Sequence, residues 1–249
     1  MDGSWVYYHG WSSRHYAYCA AYAEIEKREQ AEWRLKTAAQ LTRLKSGIPD
    51  GWPDTLAEYL EAYAETAGTQ RGRKTAAGFV AASTFERVPV DGFTLHGVPG
   101  CGKTTLMATV ARELAARRIA VRWVHLPSFQ QEMHHAMDND ATGVLIEHVE
   151  EGRVIVIDDL GSETFSPWFF GIVSDLVQHC IDRRKPLLAT TQYEREDLRQ
   201  HYLIGRTGKG GSIDAGTVDR VISRLKQASG QLEFGDGTDH REEQWSFMR

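Results

Sequence analysis

The run Gly97-Val98-Pro99-Gly100-Cys101-Gly102-Lys103-Thr104 fits the pattern G-x-x-x-x-G-K-[ST], which works only where a buried strand hands the chain directly to the start of a helix. Both flanks meet that condition. Upstream, Gly92-Phe93-Thr94-Leu95-His96 is a short apolar run suited to a buried strand. Downstream, Leu106, Met107, Val110, Ala111, Leu114 and Ala115 recur at helical spacing, while Arg112, Glu113, Arg117 and Arg118 fall elsewhere. Glycines let the loop turn its N–H groups inward around an oligophosphate, and the helix start adds unpaired N–H groups and the positive end of its macrodipole. The candidate phosphate cradle is therefore Gly97, Pro99, Gly100, Cys101, Gly102, Lys103, Thr104 and Thr105. Lys103 supplies a point charge and Thr104 a hydroxyl for Mg²⁺. The expected ligand is a nucleoside triphosphate.

Further on, Val154-Ile155-Val156-Ile157 runs straight into Asp158-Asp159-Leu160-Gly161. Consecutive β-favouring apolar residues mark a strand covered on both faces of a parallel sheet, and acids at its C-terminal end emerge beside the phosphate loop. The segment reads as a Walker B strand. Asp158 is expected to hold Mg²⁺, through water or directly. Asp159 is then placed to orient and deprotonate the attacking water, because hydrolysis needs a carboxylate not spent on the metal. Further strands are expected near Val121, near Leu187 and over 231–234, alternating with helices. That order implies a parallel sheet wound with helices.

Other segments stand in order around these two. Ser46-Gly47-Ile48-Pro49 precedes Thr55-Leu56-Ala57-Glu58-Tyr59, and Arg122-Trp123-Val124-His125-Leu126-Pro127 lies between loop and acids. After the acids come Arg183-Arg184-Lys185-Pro186-Leu187-Leu188-Ala189-Thr190-Thr191 and Asp219-Arg220-Val221-Ile222-Ser223-Arg224-Leu225. In these segments, and in Asp158-Asp159-Leu160-Gly161 above all, residues 46–245 resemble the AAA+ ATPases of the DnaC/DnaI helicase-loader and IstB transposition-helper group.

The resemblance implies ATP as the nucleotide and an AAA+ P-loop α/β fold, a parallel sheet flanked by helices, over residues 51–249. A small, mostly helical N-terminal segment, 1–50, precedes it, and no separate C-terminal lid is expected because few residues follow the last strand. It also implies roles. Gln192 stands at the sensor 1 position, where the family usually has Asn; Gln can still bond a water or γ-phosphate, but its extra methylene shifts the amide. Arg220 and Arg224, four apart on an expected helix, share one face, and in the family such an arginine reaches the γ-phosphate held by the neighbouring subunit. Arg220 is taken as that finger, which makes the working form a homo-oligomer with ATP between subunits. Arg241, within Asp239-His240-Arg241, is the sensor 2 candidate where the group commonly has Ser-Tyr-Arg.

Residues 1–50 are distinct in composition, opening with Trp5, Tyr7, Tyr8, His9, Trp11, His15, Tyr16, Tyr18 and Tyr22. Residues 20–45 lack Gly and Pro and read as a long helix with a thin apolar stripe of Ile25, Trp33, Leu35, Leu41 and Leu44. The stripe suits a partner or neighbouring helix; the resemblance makes that partner a replicative helicase, with self-association or packing on the ATPase domain as alternatives. Residues 66–75 are small, basic and flexible and read as a linker or as a loop between two helices, followed by a helix over 76–85. A glycine-rich stretch, 205–212, precedes the finger helix.

A net charge of −5 over 249 residues excludes bulk polyanion binding, so any nucleic-acid contact falls to local patches. Candidates are Arg117, Arg118 and Arg122, then Arg183, Arg184 and Lys185, then Arg206 and Lys209, with Phe129, Met133, His134 and His135 as a stacking surface for single-stranded DNA. Cys19, Cys101 and Cys180 are too scattered for a disulfide framework or a Cys-x-x-Cys zinc site. Cys101 at a helix start is open to a redox reading, against the simpler one that a small side chain was needed there. No apolar run approaches membrane-spanning length and the first residues lack a signal peptide's pattern, so a cytoplasmic protein is expected, with no membrane partner. The function expected is that of an ATP-dependent helicase loader that binds Mg²⁺ and single-stranded DNA. The alternatives are an IstB-like transposition helper that coats DNA and activates a transposase, and an adaptor that binds ATP but hardly turns over.

Overall fold

Every strand of the central sheet runs in the same direction, so all the C-terminal strand ends meet at one edge. The structure is a computed structural model that describes residues 47–137, 142–205 and 214–235. Its elements are α1 (Leu56–Ala62), α2 (Ala67–Ala82), β1 (Gly92–His96), α3 (Lys103–Ala116), β2 (Val121–His125), α4 (Leu126–Met137), α5 (Thr142–Glu150), β3 (Val154–Leu160), α6 (Pro167–Asp182), β4 (Leu187–Thr191), α7 (Arg195–Gly205), α8 (Ala215–Ala228) and β5 (Ser229–Glu233). The spatial order is β2-β3-β4-β1-β5, so β4 is inserted between the strand that feeds the phosphate loop and the strand that ends in the acids.

The unbroken apolar run of β3 has a structural reason. Ile155 and Ile157 pack into one core with Phe169, Val173 and Leu176 of α6 and Val218 and Leu225 of α8. Val154 and Val156 pack into a second core with Phe79 and Val80 of α2 and Leu106, Val110 and Leu114 of α3. Both faces are covered, which is the state parallel strands require. At about 1.5–3 kcal/mol for each fully buried aliphatic side chain, these two layers are the main force fixing the sheet.

Residues 66–75 are not a linker or a loop. Thr66 is the N-cap and residues 67–75 form the first half of α2. The Thr66 N–H donates to Thr69 Oγ1 at 3.0 Å, which starts the helix. Arg73 is buried, and its Nη2 donates to the carbonyls of Tyr63 at 3.0 Å and Ala64 at 2.6 Å, closing the chain that leaves α1. Gly72 is needed for packing: a Cβ there would lie 2.5 Å from Cδ2 of Phe234. Gly72 and Arg73, in a stretch that reads as flexible and solvated, are small and basic because of what they touch.

Ahead of α1, the chain is fastened to α3. Arg112 donates to the Pro49 carbonyl at 3.1 Å and its Nη2 lies 2.5 Å from Asp54, while the Leu56 N–H donates to Glu113 at 2.8 Å. The lead-in segment thus braces the outer side of the helix that begins at the phosphate loop.

Candidate functional site

The loop between β1 and α3 takes its path from close backbone approaches. A Cβ on Gly97 would sit 2.1 Å from the Phe234 carbonyl oxygen, so no other residue fits there without moving the end of β5. Phe234 in turn donates its N–H to the His96 carbonyl at 2.7 Å and accepts from Cys101 Sγ at 3.1 Å. The Cys101 thiol is buried and occupied, which replaces the redox reading with a packing role. Helix α3 opens after Gly102, whose φ is 91° and which gives no side-chain cap, so the first-turn N–H groups of Lys103, Thr104 and Thr105 face the loop. Lys103 folds over it, with Nζ 2.8 Å from each of the Gly97 and Val98 carbonyl oxygens. Val98 and Pro99 are exposed, leaving the outer lip of the loop open to solvent.

Across from the loop, β3 does not stop before the acids; it carries them. Ile157 pairs with Ala189 and Leu160 with Thr191, so Asp158 and Asp159 together oppose the single residue Thr190. This is a β-bulge, which re-aims side chains that strict alternation would send to opposite faces. Thr190 serves both acids: its Oγ1 donates to Asp158 Oδ1 at 2.6 Å and accepts from the Asp159 N–H at 3.0 Å. Thr104 Oγ1 donates to the same Asp158 oxygen at 3.0 Å, joining the start of α3 to the end of β3. Burial pushes the Asp158 carboxyl above the usual carboxylate range, against the lowering effect of the two hydroxyls.

Asp159 is half exposed, with a left-handed backbone at φ 62°. Its Oδ2 lies 3.8 Å from Nε2 of His125, at the end of β2, and His125 Nδ1 is 2.9 Å from Ser128 Oγ. The sequence reading missed His125 and Thr190. For Thr190 a signal was available, since a hydroxyl residue in an otherwise apolar buried strand needs polar partners.

Gln192 is exposed at the end of β4, next along the same edge. Arg220 and Arg224 part company on α8. Arg224 is partly buried and donates to Ser174 Oγ of α6 at 3.0 Å, which makes it a packing residue. Arg220 is exposed and donates to Thr217 within its own helix at 2.7 Å. Its neighbour Asp219 pairs instead with Arg199 of α7 at 2.5 Å, and Asp214 caps α8 through the Thr217 N–H at 3.0 Å. Arg241, Arg206, Lys209 and the segment 1–46 lie outside the described residues.

Several expected nucleic-acid contacts have other work. Phe129 and Met133 are buried in the core beneath α4, because they fall on its inward face. Arg117 donates to the Val80 and Ser83 carbonyls, Arg122 to the His148 carbonyl, and Lys185 to the Glu150 carbonyl. All three satisfy carbonyls at helix C-terminal ends. Arg118, Arg183, Arg184, His134 and His135 are exposed, and His134 lies against Trp168 with ring centroids 5.3 Å apart.

The Thr104 hydroxyl and the Asp158 carboxylate converge as oxygen donors, the set that suits Mg²⁺ completed by phosphate and water. Among the described residues no group of three or more His, Cys, Asp or Glu could hold a metal ion by itself. No described helix is long and apolar enough to cross a membrane.

A parallel sheet flanked by helices, with the phosphate loop after one strand and paired acids at the end of the next strand but one, is the AAA+ P-loop fold. Residues 93–166 match the family described as ATPase family associated with various cellular activities (AAA). Within that class the similarity is to helicase loaders. The replicative helicase loader DnaI of Bacillus subtilis (strain 168) is 23% identical over 151 residues, 60% of this chain and 47% of the relative, so the match spans about half of that protein's length. The crystal structure of DnaI aligns with a TM-score of 0.59 at 24% identity, over 70% of this chain and 89% of the other. That of the DnaC helicase loader aligns with a TM-score of 0.58 at 21% identity, over 73% and 96%. At these identities the structural likeness speaks for the fold.

Proposed function

We propose that this protein is an ATPase that loads a ring-shaped replicative helicase, with Mg²⁺ at its nucleotide site and single-stranded DNA as a ligand. The observation that carries the ATPase reading is the convergence of Lys103, Thr104, Asp158 and Asp159 at one edge of the sheet. The loop N–H groups and Lys103 bind the β- and γ-phosphates. Thr104 and Asp158 would hold Mg²⁺, which supplies charge neutralisation on the phosphate oxygens. Asp159, half exposed and not engaged with Thr104, orients a water and takes its proton as the water oxygen bonds to the γ-phosphorus and the bond to the bridging oxygen breaks. ADP and phosphate leave. Gln192 contacts the water or the γ-phosphate, Arg241, outside the described residues, is the sensor 2 candidate, and Arg220 of a neighbouring copy completes the charge around the nucleotide.

The loader reading rests on the similarity to DnaI and DnaC, and the aromatic segment 1–50 is the part that contacts the helicase. Exposed Arg118, Arg183 and Arg184 are left as backbone-contacting cations for DNA. The test is ATP turnover of the full chain with and without single-stranded DNA, together with co-purification with the replicative helicase of the same organism. A chain lacking residues 1–45 should lose the helicase and keep nucleotide binding. Retention of ATP binding with no helicase bound by either form would sink the loader reading and turn the search to a transposase.

A further inference from the structure

The turn that follows the two acids is held by a carboxylate that the nucleotide site does not use. Glu163 is 8% exposed, and both its oxygens are occupied: Oε2 accepts from the Gly161 N–H at 2.9 Å and Oε1 from the Tyr202 hydroxyl at 2.6 Å. Tyr202, on α7, is buried with its ring edge-on to Phe170 at 4.9 Å. A carboxyl group in an apolar setting is costly unless its acceptors are filled, and an apolar residue would fill the same space without that cost. Burial indeed pushes the Glu163 carboxyl up from its usual range, with the donors from Tyr202 and Gly161 opposing it.

What the arrangement fixes is the backbone of Asp159. That residue sits in the left-handed region, uncommon for a residue other than glycine and held only when its surroundings over-determine it. Its N–H is taken by Thr190 and its carbonyl accepts from the Ser162 N–H at 3.0 Å, which closes a tight turn. The Glu163 carboxylate, bonded to Gly161 in the middle of that turn, locks it shut. One residue on, Thr164 is clasped from α4: Gln130 Nε2 donates to its carbonyl at 2.6 Å, and its N–H donates to Gln130 Oε1 at 3.0 Å. The acid turn is therefore fastened on one side to α4 and, through Glu163, on the other to α7.

We propose that Glu163 is a positioning residue for Asp159: by closing the 159–162 turn through Gly161 and tethering it to Tyr202, it holds the acid where it meets the attacking water. This rests on the ATPase reading. Through Glu163 the tether also gives α7 a hold on the turn that carries the acid, and α7 is the helix whose Arg199 pairs with Asp219 beside Arg220. Glu163 touches no phosphate, so its loss should alter turnover and leave nucleotide binding alone.

The experiment is steady-state ATP turnover and nucleotide affinity of the full chain, with Asp159→Asn, Glu163→Ala, Glu163→Gln and Tyr202→Phe alongside the unaltered protein. For Glu163→Ala, kcat should fall by roughly ten-fold or more while KM for ATP stays within about two-fold, since displacement of a catalytic group costs rate steeply. Glu163→Gln should be rescued to within about three-fold, because its amide oxygen can accept from Gly161 and its amide NH₂ can donate to the Tyr202 oxygen. Tyr202→Phe, which keeps the ring and should fold whatever becomes of Glu163→Ala, should lie between them. Glu163→Ala or Tyr202→Phe at the unaltered kcat would overturn the proposal. So would a Glu163→Gln as damaged as Glu163→Ala, or a loss shared equally between kcat and ATP affinity. An unaltered chain with no turnover would overturn the ATPase reading itself, and this role with it.

Discussion

The phosphate loop and the acid turn face each other across one edge of the sheet, yet they are held in opposite ways. The loop is shaped by what it lacks: a bare Gly97 against the Phe234 carbonyl, and a lysine that bonds to the loop's own Gly97 and Val98 carbonyls. The acid turn is shaped by side chains brought from elsewhere, namely Thr104 from α3, Thr190 from β4, Gln130 from α4 and Tyr202 from α7. A surface made of backbone suits a ligand whose oxygens need many N–H groups at once. A surface made of distant side chains suits a group that must be aimed and whose aim can change with the helices around it.

The comparison is broken most directly by separating binding from turnover. With Asp159 as the proposed general base, Asp159→Asn should lower the ATP turnover rate by about 10²–10⁴-fold, while nucleotide affinity stays within a few-fold. On the proposed reading, in which Lys103 makes charge-assisted bonds to the phosphates, Lys103→Ala should do the reverse at the first step and weaken ATP affinity by about 10²-fold. Fluorescent-nucleotide titration and phosphate release on the same preparations distinguish the two. If Asp159→Asn lost affinity as severely as Lys103→Ala, the loop and the turn would be one binding unit and the distinction would fail.

Thr190→Val sharpens the contrast at a smaller scale. The substitution keeps the shape of a buried strand residue and removes the oxygen that donates to Asp158 and accepts from Asp159. The Asp158 oxygen loses one of its two hydroxyl donors and keeps Thr104, while the part-buried Asp159 N–H loses its partner, so stability should drop by about 1–3 kcal/mol, read as a shifted denaturant midpoint. Loss of turnover should accompany it, because the bulge that aims both acids loses its pin. A midpoint unchanged by the substitution would mean that Asp158 is held by Thr104 alone.

These two regions also mark how far the sequence could be read. The loop, α3, the strand of β3 and the pair of acids are visible in local spacing, because glycine patterns and apolar periodicity are properties of neighbours along the chain. Thr190, Glu163 and Tyr202 are not visible in that way. Thr190 lies 32 residues from Asp158 and Tyr202 lies 39 from Glu163, and only the folded sheet makes them partners. The same limit explains the errors. Arg73, Arg117 and Arg122 read as solvated or nucleic-acid-facing charges, whereas each donates to carbonyls of helix ends or of the chain leaving a helix, and Arg117 and Arg122 also pair with Glu113 and Glu151. Phe129 and Met133 read as a stacking surface because their helix's inward face was not known.

The smallest effect expected concerns Asp158, where the acid turn bears a cost that function requires. Burial raises the folded-state pKa of this carboxyl above its ordinary value of 3.8. The folded protein then holds the proton more tightly than the unfolded chain does, so stability from this group is fully present below the ordinary value and is lost as pH rises through the raised one. At neutral pH the ionised carboxylate is therefore a burden, relieved in Asp158→Asn, whose amide oxygen still accepts from Thr104 and Thr190. Without nucleotide or Mg²⁺, Asp158→Asn should melt above the unaltered protein at pH 7.5 by a few degrees, about 2–4 °C for each kcal/mol in a chain of this size. The gap should close as pH falls toward 4. A gap that widened on acidification would mean that the two hydroxyls stabilise the carboxylate by more than burial costs it. The acid turn would then be held as comfortably as the loop, and the difference between the two regions would be one of construction without a difference in strain.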